Sequence, residues 1–193
     1  MPRIVRASLM TLEAYARERQ GFRTRVIAHK RNRTVQLGDH LTLIFEDELT
    51  IRYQVQEMLR AERIFEDEGI QGELDTYNPL VPDGRNLKAT LMLEYPDPEE
   101  RSKRLQELIG VEDKVWIQVE GHEPVWAIAD EDLERENEHK TSAVHFLRFE
   151  LSEDTTRALK NGASLAIGVD HPGYTAKLET PSAVRNALLT DLS

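Results

Sequence analysis

Imidazole nitrogen and carboxylate oxygen are the donors from which this chain would have to build a reactive centre, because it contains no cysteine. Thiol catalysis, disulfides, and zinc or iron–sulfur centres held by thiolates are thereby excluded within the chain itself. The most pointed candidate is Glu62. A helix turns by about 100° per residue, so with Ile51 at zero, Val55 falls at about 40°, Met58 at about 340° and Phe65 at about 320°. Glu62 falls at about 20°, in the middle of this apolar stripe, and Glu66 lies beside it at about 60°. A carboxylate turned into a core costs roughly several kcal/mol unless it is paired, so the pattern demands a partner.

Two histidines supply candidates. In His145-Phe146-Leu147-Arg148-Phe149-Glu150-Leu151, a period of two puts His145 on the face of Leu147, Phe149 and Leu151. The same parity puts His171 on the face of Leu165, Ile167 and Val169. Glu62, Glu66, His145 and His171 are therefore the expected donor set for a divalent metal such as zinc, iron or manganese, or for general acid–base work. The competing expectation is an ion pair within the fold, for which Arg52, Arg60, Arg63 and Arg148 are available. Trp116 and Trp126 flank the Gly121 turn and are expected to pack across strands; their positions also suit one wall of a ligand cleft. With Arg148 and Tyr174 they are the ligand-binding candidates. His122 reads as a turn residue, and His29, His40 and His139 as surface side chains. No glycine-rich phosphate loop, nucleophile elbow, HExxH or GxGxxG is present.

The elements that must position these groups follow from period and punctuation. Ser8 is read as the N-cap of a first helix, interrupted near Gly21 before a basic helical turn from Phe22 to about Lys30. Val35 and Leu37, then Leu41, Leu43 and Phe45, alternate around Gly38-Asp39-His40 as a hairpin. From Glu48 to Glu68 the pattern predicts one long helix ending at Gly69, followed by a long loop through Asn78-Pro79 and Pro82-Asp83-Gly84. Strands are predicted at 89–95, 115–119, 125–129, 145–151, 165–169 and 174–178. Asp97-Pro98 opens a helix that ends at Gly110, Ser152 caps another ending near Gly162, and Thr180-Pro181 opens a last one. Short turns between strands favour antiparallel pairing. The predicted fold is α+β: a mostly antiparallel sheet with a long central helix and several shorter helices packed on it, residues 1–193 forming a single domain.

A net charge of −10 disfavours nucleic acid and anionic membrane as partners. The N-terminal MPRIVRASLMTLEAYARERQ has no apolar core of a secretory signal, and no run is long and apolar enough to span a bilayer, so the expected setting is the cytoplasm. Charge is nonetheless uneven. Segment 17–33 carries Arg17, Arg19, Arg23, Arg25, Lys30, Arg31 and Arg33 against Glu18, while 130–138 is acidic. Solvated faces are the plain reading, and a basic docking surface for an acidic partner the sharper one.

The runs QVQEMLRAERIFEDEGIQGELDTYNPLVPDGRNLKATLMLEYPD, WIQVEGHEPVWAIADEDLERENEHKTSAVHFLRFEL and GVDHPGY, with the opening RASLMTLEAYARERQGFRTRVIAHKR, resemble the bacterial family called domain of unknown function 3501. The resemblance covers nearly the whole chain and implies no catalytic assignment. It implies company: rubrerythrin-like proteins, and proteins with cysteine-rich iron–sulfur domains of the heterodisulfide-reductase type. The function expected is therefore an accessory or binding protein working with such a redox partner, the partner holding any iron–sulfur centre. The alternative is a metal-dependent enzyme or small-ligand carrier with a Glu/His site in its core.

Overall fold

The computed structural model describes residues 3–129 and 140–193. The acidic run at 130–138 and His139 lie outside the described residues. In chain order the elements are α1 (Leu12–Lys30), β1 (Thr34–Leu37), β2 (Leu41–Glu46), α2 (Glu48–Ala61), α3 (Asp67–Tyr77), β3 (Asn86–Leu93), α4 (Pro98–Glu107), β4 (Val115–Val119), β5 (Val125–Trp126), β6 (Val144–Glu150), α5 (Glu153–Lys160), β7 (Leu165–His171), β8 (Tyr174–Glu179) and α6 (Ser182–Leu189).

The strands form two four-stranded antiparallel sheets, ordered β1-β2-β3-β6 and β5-β4-β7-β8. Alternation explains their packing. Leu43, Phe45, Leu91, Leu147 and Phe149 from the first sheet and Val115, Ile117, Ile167 and Val169 from the second belong to one buried cluster. Leu105 and Leu108 near α4, Leu159 of α5, and Val184 and Leu188 of α6 complete it. A second cluster gathers Ile51, Val55 and Leu59 of α2 with Leu74 of α3 and Leu80, and Phe146 of β6 packs against it from the outward side of the first sheet. Tyr15, Phe22 and Val26 of α1 form a third cluster with Leu49 and Tyr53 of α2. The antiparallel α+β architecture expected from the sequence is thus present, as two sheets with helices packed around them.

Four local expectations are corrected. Thr11, not Ser8, caps α1: its hydroxyl accepts from the Ala14 N–H at 3.2 Å, and Ser8 ends a short 3-10 turn. The helix then runs without a break through Gly21, which faces open space.

The long central helix divides. The Ile64 N–H bonds back to the Leu59 carbonyl at 2.9 Å and the Arg63 N–H to the Arg60 carbonyl, with Arg63 left-handed at φ 55°. That is a Schellman stop, in which Ile64 folds back toward Leu59 in their shared cluster. Gly69 lies inside α3 instead of ending a helix, and much of the predicted loop is α3 and a 3-10 turn at Asn78–Leu80.

Candidate functional site

The stop at Arg63 decides the fate of the expected metal set. Glu62 is the C-cap of α2 and Glu66 the N-cap position of α3, and both are exposed. The inward orientation of Glu62 is therefore overturned. The apolar stripe does not continue beyond Leu59 in the same direction, and Phe65, placed inside by the helical count, is 69% exposed. Around the break lies a cleft of about 770 Å³ lined by Leu9, Met10, Leu12, Leu59, Ile64 and Phe65, with an Arg6–Asp67 ion pair beside it.

The two histidines are inward, as their strand parity requires, but each serves the fold. His171 is buried; the Gly173 N–H donates to Nδ1 at 3.0 Å, which leaves the proton on Nε2 to be donated to the Ile109 carbonyl at 3.0 Å. This neutral ring ties the β7–β8 turn to the segment after α4. His145 lies on β6 opposite Leu91, with Nε2 2.8 Å from Thr141 Oγ1, 3.0 Å from the Ser142 carbonyl and 3.8 Å from Glu112 Oε2. Among the described residues, no group of three or more His, Asp or Glu side chains is placed to hold a metal ion. Glu62, Glu66, His145 and His171 do not converge.

The ligand-binding candidates are likewise dispersed. Trp116 and Trp126 are register partners across β4 and β5, the cross-strand arrangement expected. The register continues from Trp116 to Gly168 and from Gly168 to Lys177, making one row across four strands. The Trp116 indole N–H donates to Asp170 Oδ2 at 2.9 Å and its ring packs against Gly168, where a Cβ would sit 2.3 Å from the ring. Lys177 covers the ring at 5.3 Å. Arg148 pairs with Glu150 at 2.5 Å on the first sheet. The Tyr174 hydroxyl donates to the Leu37 carbonyl at 2.6 Å and accepts from the His40 N–H at 3.0 Å, fastening the β1–β2 turn to the second sheet. Gly38 makes room for it: a Cβ there would meet that hydroxyl at 2.5 Å.

The basic segment 17–33 separates into two populations. Arg33 is 1% exposed and forms a two-bond fork with Asp191, while its Nε lies 3.0 Å from Asp47 Oδ2. Burial opposes its charge, but the bonds to Asp191 and the nearby Asp47 carboxylate hold the guanidinium pKa above its ordinary value. Asp47 also caps α2 through the Thr50 N–H and meets His29 Nε2 at 2.5 Å. Arg19 donates to both oxygens of Glu57 at 2.7 and 2.8 Å, and Tyr15 adds a bond of 2.6 Å. The Arg19 hydrogen bond holds the Glu57 carboxyl below the usual carboxylate range.

Arg17, Arg23, Arg25 and Arg31 instead face solvent, and among the described residues none of them forms an ion pair. After Glu18 the exposed positions of this segment carry Arg23, Arg25 and Arg31 and no acid. Ile27, 48% exposed, sits one turn after Arg23 and one turn before Arg31, an apolar spot with a basic rim. Segment composition pointed to this surface; what it could not separate is the buried Arg33 from the exposed arginines around it.

The family model described as protein of unknown function (DUF3501) matches residues 3–192. A crystal structure of a novel protein of unknown function from Burkholderia pseudomallei K96243 is 54% identical, with a TM-score of 0.95 and 100% of both chains covered. No curated protein matches the chain.

Proposed function

The chain belongs to the DUF3501 family, and from that premise we propose that it is an accessory protein, working in the cytoplasm, that docks an iron–sulfur or rubrerythrin-like redox protein through the solvent face of α1. The observation that carries this reading is the Arg23–Ile27–Arg31 row, with Arg17 on the adjoining side of the helix, on a chain whose net charge is −10. A helix surface that keeps arginines free of intramolecular acids, around an exposed isoleucine, has the composition of a small interface: an apolar centre and a charged rim. The charges would steer an acidic partner and set its orientation, and the isoleucine would be covered on contact. The redox character of the partner rests on the company that the family resemblance implies. The absence of cysteine assigns any iron–sulfur cluster to that partner.

The test is calorimetric titration of the purified protein with an iron–sulfur or rubrerythrin-like protein from the same organism. Affinity is expected to fall at least about tenfold between roughly 50 and 300 mM salt, and by a similar factor in the triple variant Arg17→Glu, Arg23→Glu, Arg31→Glu. No binding at low salt, or an affinity indifferent to both changes, would refute the reading.

A further inference from the structure

A second site lies between α2 and the outward face of the first sheet, where the end of α1 also reaches it. It is a slot of about 260 Å³ with a floor of Ile44, Met92, Val144 and Phe146 from three adjacent strands. Ile51 of α2, Tyr77 and Leu80 form its wall. These side chains face one another without closing the space.

Two charged side chains reach the same slot. Glu46 is 8% exposed; one carboxylate oxygen accepts from the Thr90 hydroxyl at 2.7 Å, and the other has no hydrogen-bond or ion-pair partner among the described residues. Lys30, half-buried at the end of α1, also lines it and makes no ion pair among the described residues. The open oxygen is therefore available at the slot as an acceptor, and ligand sites characteristically place a few polar groups within an apolar lining.

We propose that this slot binds a small zwitterion with an apolar tail, of which a free apolar α-amino acid is the simplest case. Its ammonium group meets the open oxygen of Glu46, its carboxylate meets Lys30, and its side chain lies on Ile44, Met92 and Phe146. The size supports this class, since the slot falls just below the range of about 300–1,000 Å³ that accommodates drug-sized ligands. The opposed charges distinguish a zwitterion from a plain fatty acid or amine, each of which would leave one of the two groups unanswered. This inference is independent of partner docking by α1, since it uses a different face and a different chemistry.

Leucine, methionine and phenylalanine, with isovalerate and isoamylamine as half-ligands, are to be titrated into the isotopically labelled protein and followed by NMR. Saturable shifts are expected at Ile44, Glu46, Met92 and Phe146 with at least one amino acid, and both half-ligands should bind at least about tenfold more weakly. Glu46→Gln should lose about tenfold in affinity, and Met92→Trp, which fills the slot from an outward-facing position, should abolish binding. Thermal unfolding of both variants checks that each remains folded. Absence of saturable shifts at about 20 mM amino acid overturns the proposal. So does binding that survives both substitutions, or half-ligands that bind as well as the zwitterions.

Discussion

Arg33 and Asp191 meet as a fork of two hydrogen bonds, each 2.8 Å long, with both side chains 1% exposed. The pair joins the turn after α1 to the end of the chain beyond α6, across a sequence separation of 158 residues. The Ala187 carbonyl and Thr190 hydroxyl accept further bonds from the same guanidinium, and Asp47 brings the N-terminus of α2 into the group. One cation thus fastens three elements that are distant in sequence.

Removing that cation while leaving its partners should be severe. Arg33→Met strands Asp191 and Asp47 in a buried place without their countercharge, and breaking such a pair costs about 3–5 kcal/mol. Urea unfolding of the variant is the check. A loss under about 1 kcal/mol would mean that the carboxylates find water or another donor.

The Arg19–Glu57 pair makes a prediction about pH. The Glu57 carboxyl is held below its ordinary range, chiefly by the Arg19 hydrogen bond, so in the acid range the unfolded chain binds this proton more readily than the folded one. Its contribution is present above the unfolded pKa and is lost as pH falls through the lower folded value. Stability measured from about pH 6 down to about pH 3 should therefore fall less steeply in Glu57→Gln than in the parent. Equal slopes would show that the pair does not titrate as described.

The break between α2 and α3 is testable at two adjacent residues. Arg63 holds a left-handed backbone at φ 55°, which costs a residue with a Cβ about 1 kcal/mol relative to glycine, so Arg63→Gly should raise stability by roughly that amount. Glu62→Gln, at an exposed C-cap, should change stability by no more than about 0.5 kcal/mol. A loss of several kcal/mol at Glu62 would restore the buried carboxylate that the stripe implied.

These residues also show what could be read from the sequence. Helix α4 was legible because Asp97 accepts from the Glu100 N–H, Pro98 occupies the first turn, and Gly110 adopts positive φ beyond the end. The β1–β2 and β7–β8 hairpins were legible for the same local reason: alternation on either side of a short turn. The end of α2 was not, because Arg63 occupies a conformation that sequence reasoning assigns to glycine, and the true glycine lies six residues on, within α3. One unsignalled stop moved Glu62, Phe65 and Glu66 from a supposed core face into solvent. The Arg33–Asp191 fork and the open oxygen of Glu46 depend on elements brought together only by the tertiary fold. No local spacing announces them.

The docking surface is tested most directly by mapping amide shifts on the labelled protein as an unlabelled iron–sulfur or rubrerythrin-like partner is added at low salt. Shifts concentrated at Arg17, Arg23, Ile27 and Arg31, and reversed by salt, are the expected result. Shifts confined to other surfaces, or none at a partner concentration of about 0.5 mM, would contradict the assignment of α1 as the face that meets the partner.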